Sequence, residues 1–211
     1  MQFWSLGLKA ALCVAILAGR VEPACPWSTH VDATPAAMRV AHRMLASADH
    51  GGLPFAVVDK KAATLTIFRA DGQLVGTTPV LLGRAAGDRA MPGVGARTQS
   101  GRLRLRDQVT TAGRFDSQPG HNLAGEAVVW IDYDSALAIH RLRPGASQQD
   151  RALRLAMPDA QARRVSAGCV VVPVAFYEEA VAPLLGRGRG VVYVMAEDDA
   201  PLNKPPDASG S

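Results

Sequence analysis

Aromatic residues make up only 5% of this 211-residue chain, cysteine occurs three times, and no apolar run approaches the length of a membrane span. A spanning helix needs about 20 consecutive apolar residues. The few aromatics are not interleaved with basic residues, which excludes a nucleic-acid surface of stacking platforms along a cationic groove. Three cysteines are too few for a disulfide framework. His42 and His50 have no cysteine or carboxylate at ligand spacing, so they read as surface residues, and neither a metal nor an organic cofactor is expected. The net charge of +4 is spread along the chain. It suits an anionic, extended partner without requiring one. No internal repeat is visible.

What is present is a globular composition, 48% hydrophobic, enough for one domain with a full core. Residues 1–24 read as an export signal: Lys9 precedes the apolar run from Ala10 to Ala18, and Ala18 or Ala24 can mark cleavage. Retention as an uncleaved anchor is the alternative, and the sole expected route to a membrane. Cys25 after Ala24 hints at a lipoprotein site, but Glu22 stands where an aliphatic residue is wanted. A helical segment is expected within 25–52, the main domain over 53–198, and a disordered tail over 199–211, where Pro201, Pro205 and Pro206 cluster. A monomer is expected.

Thr34-Pro35 opens a helix carrying Met38, Ala41, Met44 and Leu45 at helical spacing until Gly51-Gly52 stops it. From Leu53 short strands follow. Phe55 to Asp59 and Thr64 to Phe68 flank the turn Lys60-Lys61, and Ala70 to Gln73 turns into Leu74 to Gly76. Residues 83–107 have no clear period and read as a long loop, as do residues 116–125, which contain His121. Ala127 to Ile131 and Ala136 to His140 read as a hairpin, with His140 at a strand exit. Residues 141–164 are polar, helical over Gln148 to Leu155, and placed to lie over a site. Pro173 opens a helix through Leu184, and Val191 to Met195 is the last strand.

Ser166-Ala167-Gly168-Cys169 is the focus, because Cys169 is the sole cysteine outside the N-terminal region. Three readings stand: a disulfide with Cys25, a thiol buried beside a valine strand, and a nucleophile. A nucleophilic thiol needs a base, since the thiolate is the reactive form, and His140 is the candidate.

A strand ending in His, an insertion, then Ser-x-Gly-Cys and an apolar strand resembles the L,D-transpeptidase catalytic domain of the YkuD type. Phe55 to Gly72 looks like that family's opening hairpin. Thr111-Ala112-Gly113-Arg114-Phe115 looks like its Thr-Pro-x-Gly-x-Phe loop with one proline missing. Gly190 to Val194 resembles its closing strand.

This resemblance implies a mostly β domain, a mixed β-sandwich with one or two helices, acting on peptidoglycan stem peptides outside the cytoplasm. It makes Cys169 the nucleophile and His140 the general base. Gly168 and Cys169 would offer N–H groups to the oxyanion, and Ser166 would support the loop. The family often has His at the place of Ala167 and Arg at that of Val171. Arg114, His121 and Arg164 are therefore the candidates for contacting substrate. A reactive thiol and release of terminal D-alanine through a thioester are expected. The alternative is a wall-binding or structural protein of the same fold with a degenerate site.

Overall fold

The computed structural model describes residues 31–145 and 147–198. The expected export segment, Cys13, Cys25 and the C-terminal tail lie outside them. Among the described residues no helix is long and apolar enough to cross a membrane.

Helix α1 (Pro35–Ala46) starts where the sequence indicates. The Thr34 hydroxyl accepts from the Ala37 N–H at 3.0 Å and donates to Asp59 at 2.7 Å, capping the helix and tying it to the sheet at once. Strands β1 (Phe55–Asp59), β2 (Thr64–Phe68) and β3 (Leu74–Pro79) form an antiparallel meander, followed by the short β4 (Leu82–Gly83). After α2 (Val94–Gln99) come β5 (Gly113–His121), β6 (Ala127–Asp132) and β7 (Leu137–Arg141). Helix α3 (Gln148–Ala156), β8 (Arg164–Ser166) and β9 (Val170–Val172) follow.

Helix α4 then runs α over Val174–Phe176, π over Tyr177–Val181 and α again over Ala182–Leu184. Pro183 has no N–H to give the Glu179 carbonyl, and the hydrogen-bond ladder widens there, with Ala182 donating to Tyr177. Strand β10 (Gly190–Val194) closes the fold.

The fold is mostly β. Eight strands form one mixed sheet in the order β3-β2-β1-β10-β5-β6-β7-β9, and β4 pairs with β8 separately. Only β1–β10 and β7–β9 are parallel within the large sheet. Strand β5 is the joint between its halves: Gly113 to Ser117 pair with β10, and Gln118 to His121 pair with β6. Residues 116–121, expected as loop, are thus strand. Pro119 and Gly120 hid it, and Gly120 is needed because a Cβ there would sit 2.6 Å from the Trp130 ring.

Alternate residues of both halves meet in one core. Ala56, Val58, Leu65 and Val192 from one side join Val129, Ile139, Val170 and Val172 from the other, with Phe176 and Val181 of α4. The opposite face of β1, β2 and β10 is covered by α1, whose Ala37, Val40 and Ala41 pack on Phe55, Val57 and Tyr193. These strands are therefore buried on both faces and read as near-continuous apolar runs. The segment 83–107, expected as irregular, contains α2 and a 3-10 turn at Leu105–Asp107, too short for periodicity to show.

Candidate active site

The parallel β7–β9 pair sets His140 opposite Val171, and Cys169 stands in the bend that leads into β9, where the Ala138 N–H reaches its sulfur. As register partners, His140 and Val171 point the same way. His140 and Cys169 both line a groove of about 970 Å³, together with Ala138 and Ser166. Helix α3, from the insertion between the two strands, forms a wall of it through Arg151 and Leu153. Leu155 anchors that helix on Leu81, Leu142 and Val171.

His140 is 6% exposed, and its Nδ1 lies 2.8 Å from the Arg141 carbonyl. A carbonyl can only accept, so Nδ1 carries the proton and Nε2 keeps a free lone pair. Burial lowers the imidazole pKa to about 4, with the Arg141 hydrogen bond opposing the shift. The ring is neutral at pH 7.

The turn before Cys169 is held from both sides. Gly168 has φ +130°, a conformation that favours glycine, and a Cβ there would meet the Val109 carbonyl at 3.0 Å. The Ser166 hydroxyl donates to the Cys169 carbonyl at 2.7 Å and accepts from the Gly168 N–H at 3.1 Å. The Gly168 N–H is thus occupied, which corrects the expectation that it faces an oxyanion.

A residue the sequence did not mark completes the brace. Thr110, 1% exposed, donates to the Gly168 carbonyl at 2.7 Å and accepts from the Gly83 N–H at 2.9 Å. It adjoins the Thr111–Phe115 motif, but a contact across 58 positions leaves no local pattern.

Cys169 is a half-buried free thiol. It donates to the Ala136 carbonyl at 3.5 Å, rather than to His140. Burial pushes the thiol pKa up; N–H groups of Ala138 and Cys169 and the charges of Arg143 and Arg151 pull the other way. The resting pair is therefore neutral thiol and neutral imidazole, where the sequence reading expected a reactive thiol. Such a pair acts by proton transfer during attack rather than from a preformed ion pair.

The sequence-predicted substrate residues separate. His121 lines the groove. Arg114 does not; it binds Asp49 at 3.0 Å and Asp116 at 2.7 Å, where α1 meets the sheet. Arg164 donates to Glu197 at 2.7 Å, in a network with buried Lys60 and Asp88. Neither of these arginines lines the groove, and each holds a carboxylate of the fold instead. The arginines that do line the groove include Arg84, Arg143 and Arg151. Among the described residues no group of three or more His, Cys, Asp or Glu could hold a metal ion.

A family model described as the L,D-transpeptidase catalytic domain, YkuD, matches residues 54–188. Among solved structures the chain is similar to the catalytic domain of an L,D-transpeptidase from E. faecium, at 18% identity and TM-score 0.35, covering 67% of this chain and 95% of that one. It is also similar to the LD transpeptidase LdtMt1 in complex with imipenem, at 17% identity and TM-score 0.37, covering 67% of this chain and 58% of that one. A search of curated protein sequences returned no match.

Proposed function

The chain belongs to the L,D-transpeptidase catalytic domain family, and from that premise we propose that it is an exported cysteine acyltransferase acting on peptidoglycan stem peptides. The observation that carries this is that His140 on β7 and Cys169 in the bend before its parallel neighbour β9 line one groove.

The proposed chemistry balances through a single proton carrier. As the Cys169 sulfur attacks the carbonyl carbon of the last peptide bond, its proton passes to His140 Nε2. The tetrahedral intermediate collapses, the C–N bond breaks, and His140 returns the proton to the departing D-alanine amine, leaving a thioester on Cys169. An acceptor amine then attacks the thioester carbon and gives a proton to His140; the C–S bond breaks, the departing Cys169 sulfur takes that proton back, and the new amide leaves, whereas water in the amine's place yields a carboxypeptidase. The neutral imidazole, proton-bearing at Nδ1 and held by the Arg141 carbonyl, is in the form the first step needs. Swinging the thiol from the Ala136 carbonyl towards Nε2 is the required rearrangement.

The raised thiol pKa and the missing Cys169–His140 hydrogen bond favour a second reading, a wall-binding protein with a degenerate site. One experiment separates the two. Incubating the full chain with a stem peptide ending in D-alanine should release D-alanine and add the acyl mass to Cys169. Cys169→Ala should lower release by about 10³-fold or more, as losing a nucleophile does. Equal binding by both proteins with no D-alanine and no adduct would establish the degenerate reading.

A further inference from the structure

The groove beside Cys169 contains positive charge that the fold does not neutralise. Arg151 sits in the first turn of α3, where the positive end of the helix dipole disfavours a cation. Its Nε is buried and has no hydrogen-bond partner. Burial lowers its pKa, and the neighbouring charges of Arg143 and Arg84 lower it further. Among the described residues neither Arg151 nor Arg84 forms an ion pair. Asp150 lines the same groove but pairs with none of them. Arg143 does have a partner, its Nε lying 2.6 Å from Glu126, while its terminal nitrogens meet no carboxylate among the described residues.

Three guanidinium groups held together at a cost in self-repulsion, one with an orphaned buried donor, are arranged for an anion that arrives from outside. Elsewhere buried Lys60 meets Asp88 and Glu197, Arg97 meets Asp107, and Arg163, buried with its Nε unpartnered, stands alone and gives its terminal nitrogens to the Met157 and Ala62 carbonyls. The groove differs in gathering several arginines, close enough to repel one another, around one open cavity. Arg143 and Arg151 are also near enough to Cys169 to act on its thiol.

We propose that Arg151, with Arg84 and Arg143, binds the terminal carboxylate of the donor peptide, making a free C-terminus the group that selects the substrate. The proposal rests on the transpeptidase reading for the identity of the donor. The geometry suits it: the terminal carboxylate lies one residue beyond the attacked carbonyl, about 3.8 Å along the chain. A guanidinium reads a carboxylate through two parallel N–H donors, which fixes the leaving residue relative to the sulfur. The planar fork matters as well as the charge, so lysine is a poor replacement. The apolar rim above, exposed Leu123, Tyr133 and Leu153, would shield the contact from water once peptide is bound.

The test compares two donors, a stem peptide ending in free D-alanine and the same peptide with that terminus amidated. For the wild-type chain, amidation should lower kcat/KM by roughly 30-fold, the scale of a charge-assisted pair. Arg151→Gln should lose about as much on the free acid and little more on the amide, and Arg151→Lys should recover only part of it. Arg84→Gln, at an exposed position, should show the same pattern more weakly without disturbing folding.

Equal turnover of the two donors by the wild type overturns the proposal, as does an Arg151→Gln loss that is the same on both. A third donor, with side-chain carboxylates amidated and the terminus free, should behave as the parent does; a collapse there instead would assign the cluster to a side-chain carboxylate and overturn the proposal. Calorimetric titration of Cys169→Ala with the first two donors keeps this separate from the catalytic reading. A wild type that releases no D-alanine ends that reading. Tighter binding of the free acid to Cys169→Ala, lost on adding Arg151→Gln, still upholds the carboxylate site.

Discussion

The two halves of the large sheet are built to different standards. In the half formed by β1, β2 and β10, both faces are covered, and the groups that dock α1 have partners. Tyr193 donates to Asp49 at 2.6 Å, and Arg114 bridges Asp49 and Asp116. In the half that ends at β7 and β9, a histidine is buried neutral, a thiol is buried protonated and an arginine keeps a donor unpaired. In the first half the buried charges and the helix contacts are matched, and the Thr64 hydroxyl is the one buried polar group of β1, β2 and β10 without a partner among the described residues. In the second, local rules are broken at several neighbouring positions, which is where a binding or reacting site is expected.

The sharpest way to break the contrast is at His140. His140→Gln should lower D-alanine release by about 10²–10⁴-fold, the usual contribution of a general base. Its effect on stability has a pH signature. The folded pKa of about 4 lies below the ordinary 6.5, so the unfolded chain takes up the proton first. The stability tied to the neutral ring is complete above pH 6.5 and is lost as pH falls towards 4, about 3 kcal/mol in all. Thermal melts across that window should slope for the wild type and flatten for the variant. Parallel slopes would mean that the ring is not buried as described.

A smaller effect is expected at Thr110, which connects the two halves' shared loops to the cysteine turn. Thr110→Val keeps the volume but strands the Gly168 carbonyl and the Gly83 N–H. It should cost about 1–3 kcal/mol in melts and roughly tenfold in kcat, with KM little changed. Lost stability with full kcat would reduce Thr110 to scaffolding. Smallest of all is Arg114→Ala, on the orderly side. Its ion pairs are partly exposed and should be worth under about 1 kcal/mol, with D-alanine release unchanged. A clear loss of activity there would show the halves to be coupled.

The same division governs what could be read from the sequence. The β1–β2 and β6–β7 hairpins and α1 announced themselves through alternation, turn residues and a Thr-Pro cap, all local signals. Strand β5 did not, because Pro119 and Gly120 stand where a regular strand would place bulky residues. Nothing local marks β10 as the strand that enters between β1 and β5. At the site, the groove positions of Cys169 and His140 were legible because Ser166 to Cys169 is contiguous and His140 ends a hairpin strand. Thr110 and Arg151 matter through contacts that only the folded chain creates. Arg114 and Arg164 looked free in the sequence because their carboxylates, Asp49 and Glu197, lie 65 and 33 positions away.

Parallel neighbours cannot be joined by a tight turn; they need a crossover of a dozen residues or more. Because β7 and β9 are parallel, the fold must carry a long segment from the histidine strand to the cysteine strand, and here that segment contains α3. The ladder holds the strand of His140, and Ser166 and Thr110 brace the turn of Cys169, so in the function proposed here both side chains are held whatever the crossover contains. Chemistry and substrate choice are therefore mechanically separable in this protein. Exchanging residues 142–163 for another crossover should change which peptide is accepted and leave the alignment of sulfur and imidazole in place.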